Sequence, residues 1–175
     1  MKAKEELTQN QNIVLIGMPT AGKTTTGLLL SKVLSCRFVD TDARIESREK
    51  RSLQRIIEED GPDGFCDIEE SEILSLECQD TVIATGGSVV YSSRAMSHLQ
   101  NLGIVIYLAI TLSSLNRRLT NVQDRGIVMG ADKTLPGLFH ERIRLYEEYA
   151  EMTICCNEMR PQEVADRILE VADIR

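Results

Sequence analysis

Tryptophan is absent from this chain of 175 residues, and phenylalanine and tyrosine number only three and four. With a net charge of −7 and a pI near 5.0, so few rings speak against a nucleic-acid surface. Such a surface needs a basic face and often stacking aromatics. The same charge argues against a polybasic membrane binder. No apolar run approaches the roughly eighteen residues of a membrane span. Met1 to Asn12 is polar and has no apolar signal core. The expectation is a cytoplasmic protein, a monomer, with no nucleic-acid or membrane partner.

Metal and disulfide frameworks are missing too. The five cysteines (Cys36, Cys66, Cys78, Cys155 and Cys156) are odd in number and contain no C-x-x-C. Cys155-Cys156 closes an apolar run and reads as strand or core filler. His98 and His140 fall in separate predicted helices, outside any motif. Four prolines form no linker, and neither a repeat nor a low-complexity tract interrupts the chain. The length suits one domain, 1–175, with residues 1–11 expected as a flexible lead-in.

What is present begins at Gly17-Met18-Pro19-Thr20-Ala21-Gly22-Lys23-Thr24, which fits G-x-x-x-x-G-K-[ST]. Ile13–Ile16 before it reads as a buried strand, and Thr24–Leu34 after it as a helix. In that order, backbone N–H groups and a helix N-terminus converge on a polyphosphate. Gly17, Thr20, Ala21, Gly22, Lys23, Thr24 and Thr25 are the candidate nucleotide contacts. Lys23 is expected to reach the β- and γ-phosphates of ATP, and the Thr24 hydroxyl to take a place on Mg²⁺.

Short β-rich runs alternate with helical stretches. Strands are expected at Ile13–Ile16, Arg37–Val39, Thr81–Ala84, Ile104–Ala109 and Met152–Cys155. Helices are expected at Thr24–Leu34, Ser52–Glu59, Asp67–Cys78, Ser93–Asn101, Leu112–Leu119, Leu135–Ala150 and Gln162–Asp173. Thr134 ahead of Leu135-Pro136 reads as a cap. Alternation of this kind predicts an α/β domain, a five-stranded mainly parallel sheet with helices on both sides. Residues 121–133 hold Gly126 and Gly130, lack helical period and read as a mobile lid loop, although an ordinary solvated connection has the same composition.

Chemistry gathers at strand ends, which face the ligand crevice in such sheets. The second strand closes on Val39-Asp40-Thr41-Asp42. One acid suits Mg²⁺ and the other a substrate hydroxyl, whose proton it can take. Both also suit the start of a helix. After the third strand, Gly86-Gly87 allows close backbone approach to a ligand. Arg117 and Arg118 end a predicted helix, and Arg125 sits in the glycine-containing loop, where an arginine can neutralise a transferring phosphoryl group. Arg142 and Arg144 lie in a later helix and could bind an anionic substrate or simply be solvated.

Taken together, these residues resemble the shikimate kinase family over nearly the whole chain. The resemblance rests on Gly17–Thr24, on Phe38 through Asp42 to Ile45-Glu46, on Gly86-Gly87, and on Glu141-Arg142 through Tyr146 to Ala150. It implies a three-layer P-loop kinase fold with strand order 2-3-1-4-5, and Mg-ATP-dependent phosphorylation of shikimate to shikimate 3-phosphate in aromatic amino acid biosynthesis. It further implies that Asp40 and Thr24 serve Mg²⁺ and that Asp42 binds and activates the acceptor hydroxyl. Gly86 and Gly87 would contact the acceptor, Arg118 would lie against adenine, Arg125 would close on the phosphates, and Arg142 would bind the acceptor carboxylate. The catalytic set is then Lys23, Asp42 and Arg125.

The departures fall in the acceptor half. In Gly64-Phe65-Cys66-Asp67-Ile68-Glu69, Cys66 stands where the family carries a carboxylate-clamping arginine, and a thiol cannot form that two-pronged charged interaction. Ser88 replaces a third glycine, Arg125-Gly126 an Arg-Pro, and Arg144 a proline. Two alternatives therefore stay open: a related kinase with another small-molecule acceptor, and a nucleotide-binding regulator without transferase activity.

Overall fold

A computed structural model describes residues 12–119 and 134–172. Residues 1–11, the expected lid at 121–133 and Arg125 lie outside them. Five parallel strands, β1 (Asn12–Ile16), β2 (Arg37–Asp40), β3 (Thr81–Ala84), β4 (Gly103–Ala109) and β5 (Met152–Cys155), form one sheet in the order β2-β3-β1-β4-β5. The expected fold and strand order are both observed. β1 is buried at every position, as a central strand covered on both faces must be.

Among the described residues seven α-helices flank the strands, α1 (Lys23–Leu34), α2 (Thr41–Glu49), α3 (Leu53–Leu74), α4 (Ser93–Leu102), α5 (Leu112–Leu119) and α6 (Leu135–Tyr149) between them and α7 (Pro161–Val171) after the last. From β1 to β2 the chain crosses the sheet in one direction. From β2 onward it crosses in the other. Right-handed crossovers therefore set α1 on one face and α3, α4 and α6 on the opposite face. α7 packs with α1, and α3 with α4. Thr134 caps α6 as expected, its hydroxyl accepting from the Gly137 N–H at 3.3 Å.

Two elements depart from the sequence expectation. α2 was not expected as a helix. Among its nine residues only Thr41 and Ile45 are buried, so no apolar period marks it. The helices expected at Ser52–Glu59 and Asp67–Cys78 are joined in α3, which breaks at Gly61 (φ 76°, ψ 172°) and resumes at Pro62. Glycine tolerates the left-handed backbone, and proline suits the first position of the resumed helix. Ile45, Ile56 and Phe65 form a small second core that fastens α2 to α3, apart from the main core around the sheet.

Asn12 is a buried polar anchor at the foot of the sheet. Its amide donates to the carbonyls of Cys78 (2.7 Å) and Leu102 (2.9 Å), and its Oδ1 accepts from the Thr81 N–H (3.0 Å). One side chain thus ties β1 to the segments entering β3 and β4. Asn12→Ala would leave buried backbone groups unpaired, each costing about 1–3 kcal/mol. We expect a loss of roughly 2–4 kcal/mol in urea unfolding with an unchanged m-value; a loss well under 1 kcal/mol would show that water replaces the amide.

Candidate active site

The phosphate-binding loop has the backbone its sequence demands. Gly17 and Gly22 lie at φ 146° and 98°. A Cβ on Gly17 would sit 2.7 Å from the Leu108 carbonyl oxygen. Thr20 also adopts a positive φ, 65°, a strained state for a β-branched residue. Its carbonyl accepts from the Arg118 guanidinium at 3.0 Å. Arg118 donates as well to the carbonyls of Cys156 (3.0 Å) and Asn157 (3.3 Å). It therefore braces the loop against the segment after β5. Lys23 is buried, and its ammonium donates to the carbonyls of Gly17 (2.7 Å) and Met18 (2.9 Å).

Asp40 caps a helix, as its sequence position allowed, and also meets Thr24. Its Oδ1 accepts from the Ala43 N–H at 3.2 Å and caps α2, and its Oδ2 accepts from the Thr24 hydroxyl at 2.7 Å. The hydroxyl and carboxylate expected to serve a cation are thus adjacent. Asp42 lies in the first turn of α2. That helix is fixed to α3 by Glu72, which is 2% exposed and ion-paired with Arg44 and, at 2.9 Å, with Arg48.

Opposite α2, β3 runs into Thr85-Gly86-Gly87. The Gly86 N–H donates to the Thr41 hydroxyl at 3.3 Å, and the Gly87 carbonyl accepts from the Tyr146 hydroxyl at 2.6 Å. Neither glycine has room for a side chain. A Cβ on Gly86 would collide with Glu69 Oε1 and lie 2.8 Å from Asp42 Oδ1; one on Gly87 would lie 2.9 Å from Pro19 and 3.2 Å from the Arg142 guanidinium. Arg142 is 1% exposed. Its Nε donates to the Tyr91 hydroxyl at 3.2 Å, and its guanidinium stands 5.1 Å from the Tyr91 ring centre.

These groups share one cleft of about 470 Å³, with Gly22, Lys23 and Thr24 on one wall, Asp40 and Asp42 on another, and Gly86, Gly87, Ser88 and Arg142 opposite. Arg144 is exposed and is not among the residues lining it, so it does not make up for Cys66. Cys66 is half-buried. Burial, with Glu69 nearby, pushes its thiol up to about 11.

A carboxyl that sequence reasoning passed over completes the site. Glu69, 2% exposed, accepts from the Ser88 hydroxyl at 2.6 Å through Oε2. Its pKa is pushed up to about 8, first by burial and then by the charge of Asp42. The sequence did carry a signal. Phe65, Glu69 and Ile73 recur at helical spacing and are all buried, so an acid interrupts an apolar stripe.

The shikimate kinase family model matches residues 19–173. The chain belongs to the shikimate kinase family. A shikimate kinase of Mannheimia succiniciproducens is 34% identical over 171 residues, spanning 95% of this chain and 98% of the relative. One from Rippkaea orientalis is 38% identical, spanning 95% and 90%. Among solved structures, the Acinetobacter baumannii shikimate kinase in complex with shikimate superposes with a TM-score of 0.82 at 29% identity over 92% of each chain. The Aquifex aeolicus shikimate kinase gives 0.79 at 28% over 93% and 96%. The protein is thus a kinase, a phosphotransferase whose family serves aromatic amino acid biosynthesis. No helix among the described residues is long and apolar enough to cross a membrane.

Proposed function

We propose that this shikimate kinase family member transfers the γ-phosphoryl group of ATP to the 3-hydroxyl of shikimate. The observation that carries the reading is the single cleft in which the phosphate-binding loop faces Asp42 and Arg142. A donor and an acceptor held there meet with little reorganisation, which is most of what phosphoryl transfer asks of a protein.

The residues divide the work by chemistry. Gly17 to Thr25 receive the polyphosphate, with Lys23 releasing loop carbonyls to meet it. Arg118 serves the adenine side, and Arg125 the γ-phosphate. Asp42 orients the acceptor hydroxyl and takes its proton, beside the backbone of Gly86 and Gly87. Arg142 holds the acceptor carboxylate with its planar fork. Thr24 and Asp40, a hydroxyl and a carboxylate 2.7 Å apart, fit Mg²⁺, which keeps most of its waters and takes few protein oxygens. When bound, Mg²⁺ neutralises charge on the β- and γ-phosphates.

A second reading, the same donor chemistry on another acceptor, is favoured by Cys66, which follows Phe65 of the cleft lining and brings no charge. A coupled assay with ATP and a panel of hydroxylated metabolites separates them. Turnover of shikimate at the highest kcat/KM supports the proposal; turnover of another polyol with none of shikimate overturns it. Cys66→Arg supplies a cation beside the same pocket and is expected to lower the KM for shikimate. Nucleotide binding with no transfer to any acceptor would favour a regulator.

Mg²⁺ dependence gives a separate check. Excess EDTA should abolish turnover and Mg²⁺ restore it. Asp40→Ala should raise the Mg²⁺ concentration for half-maximal rate by about 10- to 100-fold, while an unchanged requirement would remove Asp40 from the cation site.

A further inference from the structure

We propose that Glu69 is a specificity-determining positioning residue of the acceptor site: a carboxylic acid sharing the Gly86 face with the carboxylate of Asp42, so that this face carries one negative charge rather than two. The inference deepens the acceptor reading above and rests on it.

The argument starts from geometry. Glu69 Oε1 and Asp42 Oδ1 approach the same face of Gly86, and both crowd the place a Cβ would take there. Glu69 is 2% exposed, and among the described residues its Oε1 has no hydrogen-bond partner. Two ionised carboxyls this close in a desolvated site repel, and the more buried one keeps its proton. Ser88 donates to Oε2, which leaves Oε1 to carry that proton. The groups that act on Glu69 come from four elements: Asp42 of α2, Ser88 after β3, Arg142 of α6 and Lys23 of α1. Cys66 stands three residues earlier on α3 and, as a thiol, brings no positive charge.

Two sequence departures therefore meet at one carboxyl. Cys66 provides no cation to hold Glu69 ionised, and Ser88 provides a neutral donor instead. The outcome suits an acceptor with both hydroxyls and an anion. Hydroxyls meet Asp42 with a neutral acid packed against Gly86 beside it, and the anion meets Arg142 without a second carboxylate drawing on the same charge.

Glu69→Gln keeps the shape and cannot ionise. As the wild type passes from about pH 7 to about pH 9.5, its KM for shikimate should rise about ten-fold, the scale of one new like charge nearby. The KM for ATP should stay within about two-fold, and Glu69→Gln should show no such rise. An equal alkaline rise in Glu69→Gln overturns the proposal.

A second readout needs no acceptor. The native protein holds the Glu69 proton to about pH 8, whereas the unfolded chain releases it near the ordinary 4.5. The folded state binds more protons between these values, so wild-type stability falls with rising pH relative to Glu69→Gln there, and the gap is constant above about pH 8. The melting-temperature difference should widen across that window; a flat difference overturns the assignment of Glu69 as an acid. A widening difference without turnover of shikimate supports the acid and overturns the acceptor reading instead.

Discussion

Asp42→Asn should lower kcat by about 10²- to 10⁴-fold while leaving the KM for ATP within about two-fold. Asparagine keeps the size and one acceptor oxygen of aspartate, so the acceptor hydroxyl still has a neighbour. What it loses is the ability to take the proton as the O–P bond forms. The position is well determined: Asp42 sits in the first turn of α2, and Glu72 clamps that helix through Arg44 and Arg48. Asp40 two residues earlier is engaged with Thr24 and the helix cap, so the variant leaves the donor side intact. Steady-state kinetics with both substrates varied would check it. A kcat within about ten-fold of wild type would show that positioning carries the reaction and that Asp42 is not its base.

Arg142→Met should raise the KM for shikimate by about 30- to 1000-fold. That is the equivalent of roughly 2–4 kcal/mol for removing a charge-assisted hydrogen bond from a desolvated site. The effect is large because this arginine is almost fully buried and Cys66, next to Phe65 of the cleft lining, supplies no charge. Methionine fills much of the volume without the fork. Tyr91 provides a graded companion. Its hydroxyl accepts from Arg142 Nε and its ring lies beside the guanidinium, so Tyr91→Phe removes the hydrogen bond and keeps the ring in place. That change should raise the same KM by only about three- to ten-fold. Melting curves separate misfolding from impaired recognition. An unchanged KM for shikimate in a folded Arg142→Met protein would exclude Arg142 as the carboxylate's partner.

The donor half of this site was legible in the sequence because its chemistry is local. Gly17, Gly22, Lys23 and Thr24 lie within eight residues, and β1 and α1 flank them. The strands were legible for the same reason, and their order followed from the resemblance. α2 was not, because Ile45 is its one buried apolar residue and no period could show. The two helices expected at Ser52–Glu59 and Asp67–Cys78 run on as α3 across Gly61-Pro62, with Ile56 from one half and Phe65 from the other meeting Ile45 in one small core. Glu69 was the largest omission. A charge on an apolar stripe marks a functional carboxyl or a surface residue equally well until its neighbours are known. Those neighbours, Asp42, Ser88 and Gly86, come from other parts of the chain. Cys66 and Ser88 each stood out as departures, but that they meet at Glu69 is a fact of packing. Arg118, expected against adenine, also donates to the carbonyls of Thr20, Cys156 and Asn157, contacts between distant segments that no local pattern announces.

Transfer of label from γ-³²P-ATP tests the central claim most directly. With shikimate and Mg²⁺ present, the account predicts that label appears in shikimate 3-phosphate, that little appears as inorganic phosphate, and that Asp42→Asn suppresses the transfer. Label released only as inorganic phosphate, or carried to a different hydroxyl compound while shikimate stays unlabelled, would contradict it.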